Sequence, residues 1–174
     1  MKRQQMILKA IYLVTTIVGI YFMAQVLMPK TGFVEVSVLF NNFELTTELE
    51  NEFNKVKDAR TKELKQYENR IDSLRFHLEK ENNQESKLLD EFSFIARKYQ
   101  QKKQEYTELN LILEEKYNNQ IMLQLNQYVK EFGEKNSYDI IHGANGNGSL
   151  MYAKDVLNLT EEVKAFINNK YKGI

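Results

Sequence analysis

The sequence lacks cysteine and tryptophan and has one proline and seven glycines in 174 residues. Without cysteine, the chain can form neither a disulfide framework nor a thiolate metal site. So little proline and glycine, together with 28% charged residues, is not typical of a compact globular domain. The composition therefore predicts that most of the chain forms long helices.

Acidic residues are absent from the first thirty positions, which hold Lys2, Arg3, Lys9 and Lys30. The formal net charge is zero, so the remainder of the chain has 20 basic against 24 acidic residues. A nucleic-acid-binding protein needs a basic face to neutralise phosphates. The charge distribution therefore argues against nucleic acid as a partner.

Residues 10–28 form a run of nineteen positions without a charge. As a helix, this run spans about 28 Å, which is enough to cross the hydrocarbon core of a bilayer. A cleavable signal peptide is the alternative, but its apolar region is usually shorter and ends in a small-x-small site, for which the sequence offers no good match. Basic residues precede the span and only Lys30 follows closely, so the positive-inside rule places the N-terminus in the cytoplasm. We predict an uncleaved anchor in residues 1–30.

The middle of the chain, residues 44–132, contains neither glycine nor proline, and its apolar residues recur at helical spacing. The first apolar stripe, with Arg60 in its gap, consists of Leu45, Leu49, Phe53, Val56, Leu64, Tyr67, Ile71, Leu74 and Leu78. The second stripe, with Lys102 and Lys103 in its gap, consists of Leu88, Phe92, Ile95, Tyr99, Tyr106, Leu109, Leu113, Tyr117, Ile121, Leu125, Tyr128 and Phe132. Each stripe predicts one long helix.

The polar residues 80–87 separate the two stripes and predict a turn centred near Asn83 and Gln84. Around such a turn the helices are antiparallel, and the numbers of facing residues sum to roughly 168. The resulting arm would be about 50 to 60 Å long. Because an isolated pair of helices has a thin core, we expect the arm to be flexible.

The C-terminal part contains two short β-prone runs, residues 138–143 and 148–153, around the glycine-rich loop "GANGNG". Thr160, followed by Glu161 and Glu162, predicts the N-cap and first turn of a closing helix. A two-stranded hairpin and one helix bury too little surface alone, so we expect residues 32–40 to supply a third strand. The chain ends would then meet in a body of residues 31–43 and 134–174, with residues 44–133 inserted as the arm.

The opening strand running into "VLFNNF", the helical insert and the closing segment from 138 to 171 together resemble the periplasmic chaperones of the Skp/OmpH family. The closing motif is the most specific part and is carried by Leu150, Met151, Tyr152, Ala153, Asn158, Leu159, Thr160, Val163, Asn168 and Tyr171. The resemblance implies an α+β homotrimer whose bodies join in a β-barrel-like hub and whose arms enclose unfolded outer-membrane proteins. The chain differs from soluble members in its anchor and its mildly acidic exterior.

The resemblance implies that the trimer is supported by body residues, which we expect to be Phe33, Val34, Val36, Val38, Ile140, Ile141, Leu150 and Tyr152. Phe76 and Phe94 lie outside the apolar stripes near the arm tip, so they are candidates for contact with unfolded clients. Packing between arms or a small tip core is the alternative for these two residues. Tyr99, Tyr106 and Tyr117 are instead expected in the core of the arm.

The pattern predicts no enzyme, cofactor or metal site. His77 and His142 each lack a second histidine or a cysteine at ligand spacing. The many carboxylates lie on a solvated helix, where burial cannot tune a general acid. The glycine-rich loop precedes a β-prone run rather than a helix N-terminus, which disfavours a phosphate site.

The sequence therefore predicts an anchored, ATP-independent holding chaperone of the cell inner membrane, with the bulk of the chain in the periplasm. Soluble periplasmic protein released by signal cleavage is the alternative location. A structural coiled-coil scaffold of the envelope, which binds no unfolded chain, is the alternative function.

Overall fold

The computed structural model describes residues 2–80 and 86–174 of the chain. The described helices and strands are, in chain order, α1 (Lys2–Leu27), β1 (Thr31–Glu35), α2 (Val36–Asn42), α3 (Glu44–Lys80), α4 (Ser86–Lys135), β2 (Ile140–Ala144) and α5 (Thr160–Lys172). A single turn of 3₁₀ helix, Asp155–Leu157, precedes α5. This mostly helical chain with one small strand pair has the predicted α+β fold class.

The described chain divides into two compact units. The body unit consists of Met1–Leu39 and Gln127–Phe166, and the arm unit consists of Phe40–Asn126 and Ile167–Ile174. Buried apolar side chains of the body unit are Val34, Leu39, Phe132, Leu159 and Val163. Those of the arm unit are Phe43, Leu45, Leu49, Leu74, Leu78, Ile121, Leu125 and Ile167.

Helix α1 is long and apolar enough to cross a membrane, and its candidate span Gln4–Met23 has a mean hydropathy of 1.9. None of this window is buried against the rest of the chain. The length and composition of the helix fit both a membrane anchor and a signal sequence.

The sheet joins the two ends of the chain, because β1 pairs with β2 from Thr31↔Ile140 to Glu35↔Ala144. The pairing is parallel, so the whole helical insert between the strands acts as the crossover connection that a parallel pair requires. On its other side β1 forms a bridge with Asn158, and the Leu159 N–H donates to the Phe33 carbonyl over 2.8 Å.

Two strand predictions were wrong. The predicted strand over residues 32–40 ends at Glu35, and the remainder forms α2, because a helical turn buries Leu39 fully. The predicted strand over residues 148–153 is irregular, and the predicted hairpin around "GANGNG" does not form. Asn158 lies beside β1 in place of the predicted strand, and Met151 and Tyr152 are exposed.

Helices α3 and α4 are antiparallel, as predicted, since contacts join Glu52 to Tyr117, Glu63 to Tyr106 and Glu68 to Tyr99. These pairs sum to 169, 169 and 167, close to the expected value. The predicted centre of the turn, Asn83 and Gln84, lies outside the described residues. We use "the arm" for α3 together with residues 86–126 of α4.

Helix α5 begins at Thr160, as predicted, but the Thr160 hydroxyl is not its N-cap. The Leu159 carbonyl accepts the first helical bond, from Val163, and the Asn158 side-chain oxygen accepts the Thr160 N–H over 2.9 Å. The Thr160 hydroxyl instead accepts the Glu35 N–H over 2.9 Å. The hydroxyl therefore fixes the end of β1 rather than the helix start.

Gly32 allows the segment before α5 to approach β1 closely. A Cβ atom at this position would lie 2.3 Å from Leu159 Cδ1 and 3.2 Å from the Leu157 carbonyl oxygen. Only a residue without a side chain fits here.

In the arm unit, the last turns of α5 fix the start of α3. The Asn168 side-chain oxygen accepts the Glu44 N–H over 2.9 Å, and its NH₂ group donates to the Asn42 carbonyl over 3.0 Å. The Tyr171 ring packs edge-on against Phe43, and its hydroxyl donates to Glu48. The closing Asn-x-x-Tyr motif thus caps and anchors α3.

Candidate functional site

The arm carries large apolar side chains that its helix seam does not use. Phe76 is 54% exposed and Leu123 is 72% exposed. The set of arm residues that are apolar and more than half exposed is Phe76, Phe94, Leu111, Ile112 and Leu123. These exposed side chains, which we call the arm apolar set, are the candidate site for contact with a polypeptide partner.

Phe76 and Phe94, predicted from the sequence as contact residues, both lie on the surface of the arm. Each ring has a lysine one turn further along its own helix. The Lys80 ammonium lies 4.4 Å from the Phe76 ring centroid, and the Lys98 ammonium lies 5.6 Å from that of Phe94. An aromatic ring beside a cation can contact both apolar and acidic groups of a bound chain.

Leu111, Ile112 and Leu123 on α4 were not recognised in the sequence. The signal was present, since all three are apolar residues outside the second stripe. Leu109, which was assigned to that stripe, is itself exposed, and the neighbouring Asn110 is half-buried instead. Asn110 faces inward because its side-chain oxygen accepts a 2.5 Å hydrogen bond from Arg60.

The middle of the arm is joined by tyrosine–glutamate hydrogen bonds. The Tyr99 hydroxyl donates to Glu68 over 2.7 Å, and the Tyr106 hydroxyl donates to Glu63. The bond to Glu68 lowers the pKa of that carboxyl and raises the pKa of the Tyr99 phenol. The bond from Tyr106 to Glu63 likewise raises the pKa of Tyr106.

These tyrosines were expected in the core of the arm. Tyr99, Tyr106 and Tyr117 are half-buried, and each hydroxyl reaches a glutamate on α3. For Tyr117 the bond to Glu52 is long, 3.4 Å, and burial is the largest cause of its raised pKa. The seam here combines apolar tyrosine rings with polar hydroxyl groups, so it is more polar than the predicted core.

The body unit has an apolar groove of about 590 Å³ beside β1. It is lined by Thr31, Gly32, Phe33, His142, Leu150, Tyr152, Ala153, Lys154, Val156 and Leu157. The irregular segment that was predicted as a strand forms one wall of this groove. Tyr152 in that wall is 81% exposed.

The residues predicted for the trimer body fall into two groups. Those with accessible surface are Phe33, Val36, Val38, Ile140, Ile141, Leu150 and Tyr152. Val34 is buried in the body unit, and Val36 and Val38 lie on α2 rather than on a strand. The Val36 side chain already packs against Gly143, since Val36 Cγ2 lies 2.9 Å from the position of a Cβ there.

The two histidines lie in different units: His77 is at the end of α3, where its ring contacts Phe76, and His142 borders the groove. Within residues 2–80 and 86–174, no group of three or more His, Cys, Asp or Glu side chains could hold a metal ion. The shifted pKa values belong to Tyr–Glu and Lys–Glu contacts of the solvated arm. The described residues therefore offer contact surface rather than a candidate metal site.

Comparison with protein families shows that residues 30–167 match the model of the outer membrane protein (OmpH-like) family. Among solved structures, the chain is similar to a candidate outer membrane chaperone (OmpH-like) from Caulobacter crescentus CB15, with a TM-score of 0.71 and 12% sequence identity. The match covers 82% of this chain and 86% of that one, and at this identity it shows a shared fold. No curated protein sequence matches the chain.

Proposed function

Because the chain belongs to the OmpH-like family, we propose that it is an ATP-independent chaperone that holds unfolded outer-membrane proteins against its arms. The family match covers the body and the arm, and the fold is that of the Caulobacter protein described as a candidate outer membrane chaperone. Both similarities support a chaperone-type role, and the holding of unfolded clients is the finer part of the proposal.

The observation that carries this proposal is the arm apolar set. Isolated exposed apolar residues are common, but here they lie along an arm whose own seam leaves them unused. Each contact with a client would be weak, and many such contacts would favour the bound, unfolded client over aggregates by mass action. A chaperone of this kind needs neither a nucleotide nor a catalytic group.

We propose further that the chain acts as a homotrimer assembled through its body. The groove beside β1 and the irregular segment with Leu150 and Tyr152 leave apolar surface uncovered, and the outer edge of β2 has no strand neighbour among the described residues, which favours association. Tyr152→Asp should abolish the trimer in light scattering while leaving the melting temperature of the single chain nearly unchanged. Val36→Asp is a poorer probe, because its contact with Gly143 lies inside the body unit.

The proposed location is the cell inner membrane, with α1 as a single-pass anchor, the N-terminus in the cytoplasm and the bulk of the chain in the periplasm. The length and hydropathy of α1 support this location. Carbonate-washed membranes should retain the full-length chain. Recovery of only a soluble form that begins near residues 25–30 would favour signal cleavage instead.

The functional test is suppression of aggregation of a denatured β-barrel protein by a chain that begins at Met28. The intact chain should suppress aggregation, and the combined variant Leu111→Gln, Ile112→Gln and Leu123→Gln should lose much of this effect. A matched control on the same helix, Gln101→Ser, Gln104→Ser and Thr107→Ser, should retain it. If the intact chain does not suppress aggregation at all, the scaffold function becomes the better account.

A further inference from the structure

A very short segment connects α1 to the folded body. Helix α1 ends at Leu27 and β1 begins at Thr31, so only Met28, Pro29 and Lys30 lie between them. Even fully extended, three residues reach about 10 Å. The headgroup layer on each side of a bilayer is about 5 to 8 Å thick, so a body tethered this closely cannot move far from it.

Lys30 is itself bound to the turn between α4 and β2. Its backbone N–H donates to the Asp139 carboxylate over 2.6 Å, and its carbonyl accepts the Asp139 N–H over 2.9 Å. Its ammonium donates to the Asn136 carbonyl over 2.8 Å and lies 4.1 Å from the centroid of the Tyr138 ring. We call Lys30 and residues 136–139 the juxtamembrane corner.

The corner is held by the body as well as by Lys30. The Tyr138 N–H donates to the Gly133 carbonyl over 2.9 Å across the end of α4, and Ser137 adopts a left-handed conformation with φ of 54°. This pattern is a Schellman termination of the helix. The Tyr138 ring also stacks on Phe132, with centroids 6.0 Å apart.

We propose that the juxtamembrane corner lies in the headgroup layer of the bilayer and sets which end of the body faces the membrane. This inference rests on the proposed anchor, since a cleaved chain would lose the tether. Both strands start at the corner, because Thr31 pairs with Ile140. Over five residues β2 runs for about 16 Å away from it, so Asn145 marks the opposite end of the sheet.

The charges of the corner show what holds it at the membrane. Lys30 is balanced by Asp139 within the corner, and the adjacent Lys135 is balanced by Glu134, so the corner has no net charge with which to attract anionic lipid. The short tether and the contacts of Lys30, rather than charge, therefore hold the corner in the headgroup layer. Contact with the headgroups should consequently be insensitive to salt, unlike contact through a basic patch.

The test uses the absence of cysteine, which allows single labels at Ser137→Cys and, as the matched control, at Asn145→Cys. The full-length chain is reconstituted in phosphatidylcholine vesicles that contain a small fraction of lipid with a headgroup nitroxide. A fluorophore at position 137 should be quenched several-fold more than one at position 145, at low and at high salt. A flexible Gly-Ser insertion between Pro29 and Lys30 should remove this difference without changing the circular dichroism spectrum.

The proposal is overturned if both labels are quenched equally in protein that floats with the vesicles, because the anchor then holds while the corner does not face the bilayer. If the protein fails to float with the vesicles, the anchor itself is wrong and the corner proposal falls with it. Flotation thus separates the two failures.

Discussion

The body unit and the arm unit hold their apolar side chains in different ways. In the body, Leu159 fits against Gly32, and Val163 has no exposed surface. In the arm, no side chain within residues 50–73 or 86–120 is buried, and tyrosine–glutamate bonds join the helices. The body therefore has a closely packed interior, whereas the middle of the arm has a seam that is only half-buried, although both units also expose apolar side chains. The same substitution should have different consequences in the two units.

The largest expected difference comes from one chemical change made in both units. Leu159→Ala removes a side chain that is 6% exposed and should lower the free energy of unfolding by about 2 to 5 kcal/mol. Leu123→Ala removes an exposed leucine from a helix surface and should change the free energy of unfolding by less than about 0.5 kcal/mol. Chemical denaturation of both variants measures the contrast, and equal losses would contradict it.

The next effect concerns the fixed end of the arm unit. Asn168→Ala removes the acceptor for the Glu44 N–H and should cost about 0.5 to 2 kcal/mol, as loss of a helix cap does. Asn168→Asp keeps an acceptor oxygen but loses the donor to the Asn42 carbonyl, so its cost should be smaller. Thermal melts of the two variants give the order, and an equal or larger loss for Asn168→Asp would show that the cap is not the main contribution.

A smaller change in the free energy of unfolding, in the stabilising direction, is expected at Ser137, where the backbone of the body is strained. Ser137 has a positive φ. This backbone conformation is unfavourable for any residue with a Cβ atom, whereas glycine adopts it readily. Ser137→Gly should therefore raise the free energy of unfolding by about 0.5 to 1 kcal/mol. Ser137→Ala serves as the control and should give no such gain, because alanine also has a Cβ atom.

The smallest effect tests the polar seam of the arm through pH. Glu68 has a lowered pKa, so its bond to Tyr99 stabilises the arm above the ordinary carboxyl pKa of about 4.3, and this stabilisation is lost as pH falls through the lowered value. Tyr99 has a raised pKa, so the same bond contributes below about pH 10 and is lost as pH rises through the raised value.

Tyr99→Phe should accordingly lower the melting temperature slightly at neutral pH and not at the acid or alkaline extremes. Tyr117→Phe, whose bond to Glu52 is 3.4 Å long, should have a smaller effect. Melting curves across pH measure both. A Tyr99→Phe difference that persists unchanged in strong acid would show that the ring, not the hydroxyl, is responsible.

Much of the arm could be predicted from its sequence because helical periodicity is a local signal. The stripe from Leu45 to Leu78 faces inward throughout, and the antiparallel register follows from the position of the polar turn. The sheet could be predicted only in part. Residues 148–153 are β-prone, but Asn158 pairs with β1 instead, and nothing in the local pattern reveals that competition.

The candidate site was harder to predict than the fold. Phe76 and Phe94 were found because they lie outside a stripe, and the same criterion would have identified Leu111, Ile112 and Leu123. The apolar stripes predict only the helix seam, and these three residues lie outside them. The Asn-x-x-Tyr motif was recognised by resemblance alone, because its contacts with Glu44 and Glu48 join residues more than 120 positions apart.

The measurement that tests the central proposal most directly is crosslinking of a bound client. A photoactivatable label at Ile112→Cys or Leu123→Cys should form crosslinks with a denatured β-barrel protein. The same label at Asn145→Cys in the body or at the exposed arm position Glu114→Cys should form few. Equal crosslinking at all four positions, or crosslinking only at Asn145, would contradict the proposal that unfolded clients are held by the apolar side chains of the arm.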